Sequence, residues 1–238
     1  MKIPQPVQYL KLPFLFNEKL LIKDLETAMK LSWIPHFNTS GYEGSWNSIA
    51  LYAKDGDPAN IHAMQEPGVI LKETPVMKLC SYFQEVLKQF KCPFLSVRLL
   101  KLDPGAYIKP HRDHELGYEN YNFRLHIPIV THKKIEFILD GKQLQMLPGE
   151  CWYTNVNYEH SVANKGTTPR VHLVVDGERN AWSDNIFFSL APKENFEKPL
   201  PSPLSQETLK RTIAELERMN TPVANKLIAQ MKQQLHGE

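Results

Sequence analysis

The chain has 238 residues, of which 42% are hydrophobic and 23% charged, and its formal net charge is +2. This length and composition predict one well-buried globular domain, alone or with a small appendage. The near-neutral charge gives no indication of nucleic acid as a partner, and no apolar run is long enough to cross a membrane.

Cysteine usage and the first residues indicate the cell compartment. The three cysteines are widely spaced and form no CxxC motif, which argues against a disulfide framework and against a structural zinc site. The N-terminal residues lack the continuous apolar core of a signal peptide. We therefore predict a cytoplasmic protein.

Residues 1–93 are predicted to form a support region of mixed helix and strand. From about residue 17 to 33, apolar residues recur every four positions, which favours a helix. Residues 46–52 are predicted to form a strand. A second helix is predicted from Thr74-Pro75 to Lys91, because a capping threonine and a first-turn proline precede a continuous helical spacing of apolar residues.

Residues 94–190 are predicted to form a β-rich core. Short strand-like runs alternate with turn signals, and Asp140-Gly141 is a good signal for a two-residue hairpin. The predicted strands are 94–102, 106–113, 122–131, 135–139, 142–147, 151–155, 160–163 and 170–175. About eight strands at this spacing predict a double-sheet jelly roll or barrel, so the fold class is mostly β (α+β). After Asp184 the strand pattern stops.

The C-terminal segment has a different character. Four prolines between positions 192 and 203 predict a Pro-rich linker over residues 191–204, followed by a helical pair over 205–238. The two helices are predicted at about 205–219 and 222–235, and each has an apolar stripe. Such stripes favour packing against the core or formation of a homodimer through these helices.

Three pairs of polar residues lie on predicted strands, on faces where a core would be apolar. Residues two positions apart in a strand point to the same side of the sheet, so each pair shares one face. The pairs are His111 with Asp113, Arg124 with His126, and Arg170 with His172. The residues that alternate with the second and third pairs are apolar, which places polar and apolar side chains on opposite faces.

A His-x-Asp pair followed by one distant histidine is the ligand pattern of the facial triad that holds Fe(II) in non-haem oxygenases. His111 and Asp113 supply the pair, and His160 begins a predicted strand 47 residues after Asp113. Three coordination positions would stay open for a bidentate 2-oxo acid and dioxygen. By itself this pattern is weak, because a His-x-Asp pair also occurs by chance in an exposed turn.

Arg170 adds an independent signal. It lies ten residues after His160 and leads an apolar strand, where burial of a guanidinium is costly. A 2-oxoglutarate site needs a cation deep in the barrel, and arginine can bind a carboxylate through two parallel hydrogen bonds. Arg170 therefore strengthens the prediction of an iron and 2-oxoglutarate site.

Five motifs occur in a fixed order along the β-rich region. They are Leu102–Asp113, Phe123–Pro128, Met146–Tyr153, His160 and Arg170–Val174. This order resembles the aspartyl/asparaginyl β-hydroxylase family, which also contains bacterial free-proline hydroxylases. The resemblance covers roughly residues 94–177, and the strand that begins at Trp46 also looks like the strand preceding the barrel in the proline hydroxylases.

The resemblance implies a double-stranded β-helix (a cupin-like jelly roll) with N-terminal helices and a C-terminal helical pair. It also implies Fe(II), 2-oxoglutarate as cosubstrate, and O2. His111, Asp113 and His160 match the metal ligands of the family, and Arg170 matches the arginine that holds the distal carboxylate of 2-oxoglutarate. Arg124 and His126 match a pair that contacts the cosubstrate near the metal. No catalytic residue is predicted beyond this centre.

The chain departs from the animal protein hydroxylases of the family in two ways. Those enzymes lack the carboxylate ligand that Asp113 supplies here, and they carry a membrane segment and helical repeats for which this chain has no room. We therefore expect a hydroxylase of a free amino acid or small amino-acid derivative, closer to the bacterial proline hydroxylases. The alternatives are hydroxylation of Asp, Asn or Pro residues in a peptide or protein, another cupin-type enzyme such as an isomerase or thiol dioxygenase, and a non-catalytic binding module.

Other residues are weaker candidates. Arg98 is a candidate for binding a substrate carboxylate, although a surface arginine on an edge strand is the alternative. Trp46 is a candidate wall of the substrate pocket, although aromatic residues on strands more often belong to the core. His36, His62 and His132 have no predicted partner and are expected at the surface.

Overall fold

The structure is a computed structural model that describes residues 6–63, 69–198 and 206–236. The strands are β1 (Tyr9–Leu15), β2 (Ile34–Pro35), β3 (Tyr42–Glu43), β4 (Trp46–Ala53), β5 (Lys72–Glu73), β6 (Phe94–Leu102), β7 (Tyr107–His111), β8 (Asn122–Val130), β9 (Ile135–Leu139), β10 (Lys142–Leu144), β11 (Glu150–Thr154), β12 (His160–Asn164) and β13 (Arg170–Glu178). The helices are α1 (Glu18–Ala28), α2 (Pro75–Lys78), α3 (Ser81–Leu87), α4 (Ala181–Leu190), α5 (Gln206–Met219) and α6 (Pro222–His236).

The strands form two antiparallel sheets. The larger sheet has the order β1-β11-β8-β13-β6-β4-β2, with β5 paired to β4, and the smaller has the order β10-β9-β12-β7-β3. From β6 to β13 the chain alternates between the two sheets, apart from the hairpin of β9 and β10. This alternation is the predicted double-stranded β-helix, or jelly roll. The mostly β fold class is thereby confirmed, with helices before the barrel and a helical pair at the C-terminal end.

Two apolar clusters lie on opposite sides of the larger sheet. The larger cluster packs one face of that sheet against the helices and includes Leu25 of α1, Phe83 of α3 and Phe187 of α4. The smaller cluster lies between the two sheets and includes Ile108 and Phe137. Because side chains alternate along a strand, residues between those that face the helices must face the interior of the barrel.

The segment from Thr74 to Lys91 differs from its prediction, because it forms two short helices instead of one. Cys80 separates α2 from α3 with φ −113° and ψ 78°, outside the helical region. The break is stabilised by tertiary contacts: the Cys80 side chain is fully buried, and the Phe83 N–H donates to Asp24 Oδ2 at 2.9 Å. A buried carboxylate on α1 therefore binds an N–H that would otherwise be unpaired at the start of α3.

Three other elements also differ from the sequence prediction. The first helix ends at Ala28, whose carbonyl accepts a hydrogen bond from Trp33 Nε1 at 3.1 Å. Strand β1 was not predicted and is paired with β11 at one end of the larger sheet. Helix α4 was not predicted either, although Asn180 begins it with a reciprocal capping box to Ser183.

The chain divides into two compact units, Met1–Lys198 and Pro199–Glu238. The first contains both sheets and α1 to α4. In the second, α5 and α6 pack against each other, and Lys232 Nζ lies 3.0 Å from Glu217 Oε1. Of the predicted linker, 193–196 forms a single 3-10 turn, and 199–204 lies outside the described residues. Within the described part of the chain, no helix is both long and apolar enough to span a bilayer.

Removal of residues 205–238 is expected to leave the barrel folded and to change the solubility or the oligomeric state of the chain. Both apolar clusters of the first unit are formed by residues between 7 and 196, so the truncation removes none of them. Circular dichroism during heating and analytical ultracentrifugation of the truncated and full-length chains test this. Loss of cooperative unfolding would contradict the first expectation, and the same oligomeric state in both chains would contradict a role of the helices in dimer formation.

Candidate metal and cosubstrate site

A cavity of about 400 Å³ lies inside the barrel of the first unit. Its lining includes all eight site residues predicted from the sequence: Trp46, Arg98, His111, Asp113, Arg124, His126, His160 and Arg170. Residues of both sheets contribute, because the inward faces of the strands converge on one space. The predicted polar pairs are therefore brought together, although they are far apart along the chain.

Two histidines and one aspartate form a compact cluster at this cavity. His111 ends β7 and His160 begins β12, and the two are register partners in neighbouring strands, with ring centroids 4.2 Å apart. Asp113 lies just after β7, where its backbone N–H donates to the Val156 carbonyl at 2.9 Å. One potential ligand atom from each of the three residues lies within 4.8 Å of the others. The cluster can therefore hold one metal ion.

Backbone carbonyls set the orientation of both histidine rings. His111 Nδ1 lies 2.8 Å from the Lys109 carbonyl, and His160 Nδ1 lies 3.1 Å from the Tyr158 carbonyl. A carbonyl only accepts hydrogen bonds, so Nδ1 must carry the proton in each ring. The lone pair of a neutral ring is then on Nε2, the nitrogen free to bind a metal.

The charge states of the cluster also suit a metal. Burial, assisted by the nearby His111, lowers the pKa of His160 to about 4, so its ring is neutral at pH 7. Burial alone would raise the pKa of Asp113, but the adjacent Arg124 guanidinium, which also donates a hydrogen bond to this carboxylate, outweighs that effect, and the pKa is lowered to about 2. Two imidazoles and one carboxylate are the donor set of the facial Fe(II) triad, so the residues present fit that ion.

Arg124 links the carboxylate of the cluster to a second, buried carboxylate. Its Nη1 donates to Asp113 Oδ2 at 2.5 Å, and its Nε and Nη2 donate to Asp176 Oδ1 and Oδ2 at 2.7 and 3.1 Å. The other oxygen of Asp113, Oδ1, lies 3.8 Å from His111 Nε2. Arg124 thus occupies one oxygen of Asp113 and leaves the other on the side of the histidines.

Arg170 is a buried cation without a carboxylate partner among the described residues. Its side chain is 2% exposed, its Nη2 donates to His172 Nδ1 at 2.9 Å, and its Nε has no hydrogen-bond partner. Burial lowers the pKa of Arg170 to about 9. Arg170 lines the cavity, so its unpaired Nε–H is available to a ligand there.

Other buried polar atoms on neighbouring strands of the larger sheet also lack partners. Within the described residues, hydrogen bonds are missing for Thr154 Oγ1, for His172 Nε2 and for both ring nitrogens of His126. These residues belong to the adjacent strands β11, β13 and β8. An unpaired buried polar group typically costs about 1–3 kcal/mol, so the unpaired atoms of Arg170 and His126, which both line the cavity, indicate a site that awaits a polar ligand. A dicarboxylate such as 2-oxoglutarate fits this set of donors.

Arg98 is buried, so the alternative of a surface arginine on an edge strand is wrong. It is 3% exposed on β6, which is an interior strand of the larger sheet between β13 and β4. Its Nη2 donates to Asp176 Oδ2 at 2.9 Å and its Nη1 to the Ile61 carbonyl at 3.1 Å, while its Nε has no partner. Arg98 therefore presents a partly satisfied guanidinium to the cavity.

Trp46 forms an aromatic wall of the cavity together with a histidine that sequence reasoning misplaced. The His36 ring stacks on Trp46 with a centroid distance of 3.6 Å and an interplanar angle of 8°. The expectation that His36 lies at the surface is therefore wrong, because His36 is stacked on Trp46 and lines the cavity. Burial, followed by the charge of Arg98, lowers the pKa of His36 to about 4.

The other two histidines that were expected at the surface lie outside the cavity lining. His62 is exposed, and His132 is half-buried with its Nε2 near the Thr168 carbonyl.

Asp176 was missed by the sequence analysis although a signal for it exists. It continues the series of alternating positions that begins with Arg170 and His172 on β13, so it faces the same side of the sheet. An acidic residue on that inward face would have been a candidate partner for Arg98 and Arg124. No comparable signal in the sequence indicates that His36 stacks on Trp46.

Comparison with known proteins agrees with these observations. Residues 16–180, more than half of the chain, match the family model described as aspartyl/asparaginyl β-hydroxylase. A curated relative, the L-proline cis-4-hydroxylase of Rhizobium meliloti (strain 1021), is 26% identical over 193 residues. That match covers 78% of this chain and 64% of the relative, so the chain spans just under two thirds of the relative's length.

Solved structures with a similar fold include two oxygenases. An oxidoreductase of the 2OG-Fe(II) oxygenase family from Burkholderia pseudomallei is 13% identical, with a TM-score of 0.45 over 67% of this chain and 79% of that chain. A Pseudomonas putida prolyl-4-hydroxylase is 10% identical, with a TM-score of 0.46 over 73% and 94% of the two chains. On the extent of the family match, this chain belongs to the aspartyl/asparaginyl β-hydroxylase family.

Proposed function

We propose that this protein is an Fe(II)- and 2-oxoglutarate-dependent dioxygenase that hydroxylates an unactivated C–H bond of a free amino acid or a small amino-acid derivative. The observation that carries the proposal is the pairing of two features in one cavity. One is the cluster of His111, Asp113 and His160, and the other is the buried guanidinium of Arg170, which has no carboxylate partner among the described residues. A cupin-type isomerase or thiol dioxygenase would need the metal ligands but not Arg170.

Each part of the cavity has a role in this reaction. His111, Asp113 and His160 would hold Fe(II) on one side, and Arg170 would bind the distal carboxylate of 2-oxoglutarate. When bound, the iron and 2-oxoglutarate supply the oxidation, in which one atom of O2 enters the substrate C–H bond, the other enters succinate, and CO2 is released. The apolar lining residues Phe137 and Val162 keep water away from the reacting groups.

The charges of the cavity support a substrate with a free carboxylate. Among the described residues that line it, Asp113 is the one carboxylate, and the proposed metal would occupy it. No acidic side chain then remains in that lining for a cationic substrate group. Arg98 has unused donors, so it is our candidate for the substrate carboxylate, and the stacked pair of Trp46 and His36 would cover the substrate's apolar part.

The name of the curated relative makes L-proline and related cyclic amino acids the first substrates to test. The enzyme would be incubated with Fe(II), 2-oxoglutarate and a panel of free amino acids, and with the same residues blocked at the N-terminus, the C-terminus or both. Succinate and a product heavier by one oxygen atom are measured, with a correction for turnover in the absence of substrate.

We expect free carboxylates to be preferred by about 100-fold or more in kcat/KM. Loss of one partner of a buried charge pair typically costs about 2–5 kcal/mol, which corresponds to a factor of about 30 to several thousand. The variant Arg98→Met should lose this preference while it still consumes 2-oxoglutarate. Turnover of blocked peptides alone would favour a peptide or protein substrate, and absence of turnover with bound metal would favour a binding module.

A further inference from the structure

Asp176 is a fully buried carboxylate that receives four hydrogen bonds. Its oxygens accept from Arg124 Nε and Nη2 at 2.7 and 3.1 Å, from Arg98 Nη2 at 2.9 Å and from Ser96 Oγ at 2.7 Å. The side chain is 0% exposed, and Asp176 is not among the residues that line the cavity. It therefore lies behind the site and acts on it through its neighbours.

The two arginines that Asp176 holds reach different parts of the cavity. Arg124 uses its remaining nitrogen, Nη1, to bind Asp113 Oδ2 of the metal cluster. Arg98 uses Nη1 to bind the Ile61 carbonyl and keeps Nε unpaired. The result is a continuous chain of ionic contacts, from Asp113 through Arg124 and Asp176 to Arg98.

Asp176 also balances the charge of two guanidinium groups in a buried place. Burial disfavours its ionised form, but the charges of Arg124 and Arg98 outweigh this effect and lower the pKa of Asp176 below its ordinary value. Asp176 is the one carboxylate that Arg98 contacts among the described residues. Without its charge, two buried cations would face each other with a single remaining counterion at Asp113.

We infer that Asp176 is a positioning residue whose carboxylate orients both Arg124, which binds the metal-cluster residue Asp113, and Arg98, the candidate for the substrate carboxylate. By holding Arg124 it keeps Asp113 Oδ2 occupied and directs Oδ1 to the metal. By holding Arg98 it presents the guanidinium to the carboxylate of the substrate. The first role depends on the metal cluster alone, and the second rests on the proposed function.

The test is the variant Asp176→Asn, which keeps the shape of the side chain and removes its charge. Metal affinity is measured without turnover, by titrating Co(II) in competition with a chromogenic chelator. We expect binding about 10-fold to 100-fold weaker than in the wild type, the usual effect of losing a group that orients a metal ligand. In turnover assays, the same variant should raise the KM of the carboxylate-bearing substrate.

Asp24→Asn is the matched control, since Asp24 is a buried carboxylate on α1 that binds the Phe83 N–H outside the cavity. It should lower the midpoint of thermal unfolding without a change in Co(II) affinity. If Asp176→Asn does not fold, the double variant Asp176→Asn/Arg98→Met removes one of the two opposed cations. Its Co(II) affinity is then compared with that of Arg98→Met alone, and we expect the same 10-fold or greater loss.

The outcomes separate this inference from the proposed function. Unchanged Co(II) affinity in Asp176→Asn, or in the double variant relative to Arg98→Met, would overturn the positioning role. An equal loss of affinity in Asp24→Asn would overturn it too, because the effect would then follow from general destabilisation. A wild-type chain that binds no divalent metal would instead contradict the metal centre of the proposed function.

Discussion

Replacement of His111 or His160 by alanine is expected to abolish metal binding and, with it, all turnover. The two rings are register partners on β7 and β12, and one potential ligand atom of each lies within 4.8 Å of those of the other cluster members. Removal of one ring leaves a single imidazole and one carboxylate, which is an incomplete facial set. Asp113→Ala should also be severe, because it removes the anionic ligand and leaves one nitrogen of Arg124 without its partner.

Metal content by mass spectrometry and Co(II) titration measure this effect independently of activity. His132→Ala is the matched control, because His132 is half-buried outside the cavity and bonds the Thr168 carbonyl. The control should bind metal as the wild type does. Wild-type-like metal content or activity in either His111→Ala or His160→Ala would show that the metal lies elsewhere.

Arg170→Ala is expected to raise the 2-oxoglutarate requirement by a factor of about 30 to several thousand. The dicarboxylate would lose its bidentate partner in a buried place, which typically costs about 2–5 kcal/mol. The 2-oxoglutarate requirement of Arg170→Lys should lie between those of the wild type and Arg170→Ala, because lysine keeps the charge but lacks the planar pair of donors. Metal affinity should change little, because Arg170 makes no contact with the metal cluster in the described structure.

The apparent KM for 2-oxoglutarate and the displacement of bound 2-oxoglutarate by succinate would measure this effect. Folding is not expected to be impaired, because Arg170 is a buried cation without a carboxylate partner among the described residues, and its removal relieves a desolvation penalty. A thermal midpoint equal to or above that of the wild type would therefore accompany the loss of cosubstrate binding. An unchanged 2-oxoglutarate affinity would show that another residue holds the distal carboxylate.

The alternation of residues along strands made the centre of the site predictable. Arg124 and His126 line the cavity, and the apolar residues that alternate with them pack toward the helices. Because side chains alternate in a strand, the sequence alone predicts which residues share each face. The same rule places Arg170 inside. Local sequence therefore predicted which side chains enter the barrel, and the spacing of the strands predicted the barrel itself.

Features that depend on tertiary contacts were not predictable in this way. The break at Cys80 depends on a buried carboxylate 56 residues earlier in the chain, at Asp24. The stack of His36 on Trp46 depends on how β2 and the following loop lie against β4. The periodicity of apolar residues does not predict such contacts. Each contact joins two separate segments, and the apolar pattern of each segment is compatible with several ways of packing against the other.

The place of β13 in the larger sheet bears on how the chain folds as it is synthesised. This strand is the last of the barrel in sequence, yet it pairs with β6 on one side and β8 on the other. Until residue 178 has emerged, both neighbours have open edges that can pair with other chains. Such long-range pairing is slow, and it exposes the nascent chain to aggregation. Arg98 and Arg124 also lack Asp176 until that strand is in place, so the sheet and its buried ionic contacts are completed in one late event.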